Sequence, residues 1–133
     1  MPKPITEHVP NVAWFNRRII ITVVGCGGTG AQVALGLPYL HEALLADGHP
    51  LGLRVFLVDG DTITETNCVR QPFARSEIGL YKAVVLIHRL NLFWGFDWEA
   101  VPYFVTSGQD LPDSDFLIPA WIRARRVQHW LES

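Results

Sequence analysis

Apolar residues along this chain come in two rhythms. "RIIITVV" (18–24) and "LRVFLV" (53–58) are short, β-branched and apolar with little alternation. That pattern suits strands buried on both faces, as in a parallel sheet. "AQVALGLPYLHEALLA" (31–46) and "IGLYKAVVLIHRLN" (78–91) repeat at helical spacing, and Pro38 marks a kink or restart in the first. "AVPYFV" (100–105) reads as a third strand and "DFLI" (115–118) as a fourth. "PAWIRARRVQHWLE" closes the chain as a helix over about 119–131, with Pro119 at its permitted first position. Residues 1–12 form a polar, proline-rich arm, and "NVAWF" (11–15) is a short apolar turn or half-helix. "FWGFDWE" (93–99) is an aromatic loop, and 62–77 is a polar connection. The order β-α-β-α-β-β-α predicts a mostly parallel sheet covered by helices through right-handed crossovers, a three-layer α/β/α domain of Rossmann type.

Composition narrows this picture without redirecting it. With 133 residues, 49% hydrophobic, the chain holds enough for one domain with a packed core. Thirteen acidic and eleven basic side chains nearly cancel, which argues against capture of nucleic acid or an anionic membrane by bulk charge. No apolar run approaches the roughly 20 residues of a spanning helix, and the start lacks a secretory h-region. The expectation is a cytoplasmic protein. Cys26 and Cys68 form neither a zinc cluster nor a disulfide framework. The aromatic residues of 93–98 lack the basic stripe of a nucleic-acid platform and read as packing. In "WIRARRVQHW", Arg123, Arg125 and Arg126 beside Trp121 and Trp130 fit an interface helix or a solvated amphipathic one equally.

The first chemistry lies in "VVGCGGTGAQ" (23–32). Gly25, Gly27 and Gly30 match G-x-G-x-x-G between a strand and a helix. Such a loop serves a tight turn, close approach of backbone to phosphate, and tight helix–strand packing. The helix N-terminus adds unpaired N–H groups and a positive dipole end. Asp59, at the end of the second strand, suits ribose hydroxyls in either an NAD or an ATP site. Asp61 serves a turn or supports the site from behind. A lone Arg70 or Lys82 would ordinarily be a solvated charge, but their placement after the loop and Asp59 favours a shared site.

Four features taken in order, GCGGTG, D-G-D-T, N-x-x-R-Q and I-G-x-x-K, resemble the ThiF/MoeB/HesA family of adenylating enzymes, which includes the ubiquitin-activating enzymes. Gly28 fits its G-x-G-G-x-G form. The resemblance covers about residues 19–105, and with "RLNLFWGFDWEAVP" it is nearest the ThiF-like proteins of PRTRC plasmid systems. It implies the N-terminal half of a ThiF-type domain. It also implies ATP, brought as its Mg2+ complex, and attack on the α-phosphate by the terminal carboxylate of a ubiquitin-like or sulfur-carrier protein. By motif position, Arg70 and Lys82 are the cations that meet phosphate charge. Asn67 and Gln71 hydrogen-bond phosphate or ribose, Asp59 takes the ribose, and Gly28 admits ATP to the backbone. Gly79 lets the chain pack closely before Lys82, and Thr66 caps a turn in preference to touching phosphate. Cys26 fills space in the loop, although a helix N-terminus tends to lower a thiol pKa, and Cys68 packs. The family's habit also implies a homodimer.

Three departures qualify these expectations. The family's metal-binding aspartate after the fourth strand is missing, because "DFLI" runs into "PAWIRARR"; Asp113 and Asp115 precede that strand, at the wrong end to replace it. The family's second half, which holds the carrier tail and in many members a zinc pair, does not follow. Neither Arg17 nor Arg18 can be assigned the arginine that many members lend across a dimer. A C-terminally truncated, inactive nucleotide-binding or interaction module is therefore the alternative expectation.

Overall fold

The computed structural model describes residues 16–105 and 110–120. Its strands are β1 (Ile19–Val24), β2 (Leu53–Val58), β3 (Glu99–Val101) and β4 (Phe116–Pro119). Its helices are α1 (Gly28–Ala46), the single turn α2 (Asn67–Arg70) and α3 (Lys82–Trp94), with a 3-10 turn at Arg75–Glu77. The strands form one parallel sheet in the order β3-β2-β1-β4. In register, Ile19 faces Leu53, Ile21 faces Val55 and Val23 faces Leu57. These residues lie on the same face and join Ala31, Ala34 and Leu37 of α1 and Leu86, Ile87 and Leu90 of α3 in the main core. The opposite face centres on Val24 and Val58, with Val101, Val105, Leu111 and Leu117 packed against them. The sheet is thus α/β and Rossmann-like, with both long helices on one face. The terminal helix expected at 119–131 falls outside the described residues beyond Ala120, as do the arm and "NVAWF".

Several element boundaries differ from the sequence reading. α1 runs unbroken through Pro38, whose ring is buried. α3 begins four residues later than expected. Residues 79–82 pair instead with 61–63: Ile63 N–H donates to Leu80, Gly79 N–H to Ile63 and Lys82 N–H to Asp61. It also ends later, so Phe93 and Trp94 are helical and not in a loop. Gly95, left-handed at φ 75°, stops the helix and donates to Asn91 O. β3 begins at Glu99 and ends before Pro102, two residues into the expected segment. Pro119 closes β4 and is not the first residue of a helix; Ala120 N–H then donates to Val24 O. The connection 62–77 holds two short helical turns where the sequence showed only polarity.

The aromatic run packs as expected. The rings of Phe96 and Trp98 stack at 4.3 Å, and the buried Trp98 indole donates to Leu53 O at 3.1 Å. Asn91 accepts from Trp98 N–H and donates to Trp98 O, tying the end of α3 to β3.

Candidate functional site: the glycine loop and a buried lysine

The glycines at the carboxyl end of β1 divide the work of the loop. Gly25 adopts φ 105° to turn the chain, and its N–H donates to Val58 O of β2. A Cβ on Gly30 would fall 1.9 Å from Gly25 O, so only glycine lets α1 lie this close to the strand end. Cβ atoms on Gly27 and Gly28 would meet nothing within 4 Å. These two residues present bare backbone to open space. α1 starts there without a side-chain cap and without an acid in its first turn. Its first N–H groups and positive dipole end are left for an anion.

Asp59 holds this loop. Its Oδ2 accepts from Cys26 N–H at 2.5 Å, and its Oδ1 accepts from Asp61 N–H at 2.7 Å. One carboxylate therefore fixes the end of β2 to the loop after β1. Each oxygen retains a lone pair that could accept from a hydroxyl.

Lys82 is the feature that sets the site apart. It is 6% exposed, at the first position of α3, and its ammonium makes no hydrogen bond or ion pair among the described residues. The backbone ladder of 61–63 with 79–82 fixes its position beside Asp61, and Ile63, 1% exposed, anchors that ladder. Cys26 records what surrounds it. Burial pushes the Cys26 thiol far above the ordinary thiol range, Asp59 and Asp61 add to the rise, and Lys82 opposes it. The glycine loop, both aspartates and the lysine thus share one electrostatic neighbourhood. The thiol stays protonated and buried, which fits the space-filling expectation and not the lowered pKa of a helix N-terminus.

The remaining sequence candidates are placed less simply. Arg70 ends α2, exposed and without an ion pair among the described residues. Asn67 uses its Oδ1 to accept from Thr64 N–H at 2.9 Å and Thr64 Oγ at 3.0 Å, so its carbonyl holds a turn and only its NH2 group remains. The turn expected from Thr66 is made by this Asn67–Thr64 pair; Thr66 itself makes no side-chain cap. Gln71 carries a buried Oε1 with no partner. Gly79 is not a close-packing residue: it has φ 93°, and a Cβ there would meet nothing within 4 Å. Its role is to turn the chain ahead of Lys82. Cys68 donates weakly from Sγ to Thr64 O and packs against the main core.

The sequence reading missed the backbone ladder that seats Lys82 and the strap behind it. Arg89 of α3 donates to Pro72 O at 2.6 Å and to Glu77 at 2.6 and 2.9 Å. Glu77 also accepts from Ala74 N–H at 2.7 Å. Burial would push the Glu77 carboxyl up, but the Ala74 and Arg89 donors bring it below its usual value. The signal was available as an arginine at helical spacing from Lys82, facing an acid in the polar connection.

Across the sheet, Asp115 lies at the opposite end from the loop. It accepts from Arg17 at 2.7 and 2.6 Å and from Ile20 N–H at 2.8 Å. Arg18 pairs with Asp97. These contacts make Arg17, Arg18 and Asp115 structural.

No protein-family profile and no curated protein matches this sequence. Solved structures do match. The Escherichia coli tRNA N6-threonylcarbamoyladenosine dehydratase TcdA, solved in complex with ATP, is 28% identical, with a TM-score of 0.58 over 82% of this chain. E. coli MccB, solved with MccA, is 21% identical with a TM-score of 0.62 over 88%, and PaaA is 20% identical with 0.59 over 76%. The fold is that of the ThiF/MoeB-like adenylating enzymes. This chain covers 42% of the TcdA chain, 33% of MccB and 30% of PaaA, less than half of each. TcdA has also been crystallised with AMP, at 31% identity and a TM-score of 0.50. Among the described residues no helix is long and apolar enough to cross a membrane.

Proposed function

We propose that this chain binds ATP at the glycine loop and activates a carboxylate as an acyl-adenylate. A carboxylate oxygen attacks the α-phosphorus, the bond to the β-phosphate oxygen breaks, and pyrophosphate leaves. The observation that carries this reading is Lys82, 6% exposed and with no hydrogen bond or ion pair on its ammonium among the described residues, in one electrostatic neighbourhood with the bare, uncapped loop backbone. Phosphate is the ligand whose charge both features lack. Asp59 keeps the loop in shape and accepts from ribose hydroxyls, and Lys82 and Arg70 meet negative charge gathering on phosphate oxygens. Gln71 and the NH2 group of Asn67 complete the polar lining. The ATP-bound form of TcdA supports the choice of nucleotide, and the MccB complex with MccA supports a peptide or protein as carboxylate donor. The finer assignment is a ubiquitin-like or sulfur-carrier tail, a homodimer in the cytoplasm, and kinship with PRTRC ThiF-like proteins. It rests on the motif order alone.

The residues present do not fit a protein-held Mg2+. Among the described residues no three His, Cys, Asp or Glu side chains gather to hold a metal.

One observation favours a non-catalytic reading of the same fold. β4 ends in Pro119–Ala120, and Ala120 Cβ lies 3.2 Å from where a Gly30 Cβ would sit. Alanine therefore stands beside the loop where the resembling family carries its aspartate. Calorimetric titration with ATP, followed by ATP–pyrophosphate exchange with and without a candidate carrier protein, tests both. ATP binding with exchange supports the adenylating reading, binding without exchange supports the inert module, and absence of binding overturns both.

A further inference from the structure

Three carboxyl ends follow one another along the rim of the sheet. The glycine loop leaves β1, Asp59 follows β2 beside it, and β3 lies one strand further out. Asp59 N–H donates to Val101 O at 3.1 Å, which ties the end of β3 to the end of β2. Phe104 sits on this rim against Gly60. The three atoms nearest to a Cβ built on Gly60 all belong to it: ring Cδ2 at 2.6 Å, ring Cγ at 2.7 Å and backbone N at 2.7 Å. Any side chain at 60 would displace the ring, so glycine is what lets it lie on the backbone next to Asp59. Val105, one residue on, packs against Val24 and Val58, so the chain is anchored on both sides of the phenylalanine. Yet Phe104 is 71% exposed. A single exposed apolar residue is ordinary. This one is set apart by its seat beside the carboxylate of the site, where most of the ring still faces water.

We infer that Phe104 is the platform on which the base of the bound nucleotide stacks, which makes it a specificity-determining residue. The inference rests on the ATP-binding reading of the proposed function. Neighbouring strands lie about 4.8 Å apart, so the ends of β1 and β3 are separated by about 10 Å. A nucleotide laid along that line puts phosphate on the glycine loop, ribose at Asp59 and base at the end of β3. The order of groups along the nucleotide is the order of strands along the sheet. An aromatic ring meets a flat base through its π face, and exposed rings hold bases in this way. Phenylalanine has no donor or acceptor to read the edge of a base, so Phe104 recognises that a base is present and not which one.

Calorimetric titration of the full chain with ATP and, separately, with inorganic triphosphate tests this. Phe104→Ala should weaken ATP binding about tenfold and leave inorganic triphosphate binding unchanged. Lys82→Met should weaken both. Phe104→Trp should bind ATP at least as tightly as the parent. Tyr103→Ala removes an aromatic of similar exposure, 67%, one residue away, and should leave both titrations as they were. Because the ring is mostly exposed, Phe104→Ala should melt close to the parent. If the parent binds ATP and Phe104→Ala binds it equally well, or loses inorganic triphosphate to the same extent as ATP, the platform is overturned while the ATP site stands. A parent that binds no ATP overturns both readings.

Discussion

The two ends of the sheet treat charge in opposite ways. At the amino-terminal end, Arg17 pairs with Asp115, Arg18 with Asp97 and Arg54 with Glu99. At the carboxyl end, Lys82 is buried and Arg70 exposed, and neither has a partner among the described residues. The same residue types do structural work where the chain supplies the counter-charge. Where they form no ion pair among the described residues, they are the cations that the proposed function gives to phosphate. Parallel strands put this difference in place, because ligands in open α/β sheets gather at the carboxyl ends.

The sharpest way to break the comparison is through the loop backbone. Gly30→Ala must drive α1 away from Gly25 O and should cost at least about 4 kcal/mol, read as a collapse of the melting temperature. Gly28→Ala, in open space on the helix, should leave stability within about 1 kcal/mol while weakening ATP binding. A second test separates affinity from stability. Lys82→Met should reduce ATP affinity by about 10- to 100-fold, equivalent to about 1.4–2.7 kcal/mol. Thermal melts of the free protein should change little, since the Lys82 ammonium makes no hydrogen bond or ion pair among the described residues. If Lys82→Met binds ATP as the parent does, the carboxyl end is not the site.

At the opposite end the expected outcome reverses. Asp115→Ala should cost about 1–3 kcal/mol of stability through the lost Arg17 and Ile20 bonds, with ATP affinity intact. The smallest effect concerns pH. Because the folded-state Glu77 carboxyl lies below its ordinary value of 4.5, its contribution is complete above that value and fades as pH falls through the lowered one. Glu77→Gln should therefore melt lower than the parent at pH 7, and the gap should narrow toward pH 3.

Much of this was legible in the sequence, for physical reasons. β1, β2 and the loop between β1 and α1 could be read directly, because β-branched runs and clustered glycines each have few other uses. The turn at Gly25 and the close helix–strand packing at Gly30 also followed from spacing. Other features depended on pairing across distance. The late start of α3 is set by hydrogen bonds to 61–63, which no local pattern of 78–91 records. Pro119 carries the same fixed φ in a strand end as in a helix start, so local chemistry could not choose between them. Asn67 looked like a ligand group because its neighbour Thr64 competes for the same carbonyl only once the turn has formed. The burial of Lys82, the strongest evidence for a site, is a tertiary property throughout.

Cys26 gives this architecture a built-in clock. Its thiol is fully enclosed, protonated and clamped through its own N–H to Asp59. An alkylating reagent can reach it only while the loop lifts from the end of β2, so the labelling rate counts openings. Anything that settles on Gly27 and Gly28 should slow that clock. The loop then reports its own occupancy in minutes of reagent exposure, with no need to know what chemistry follows.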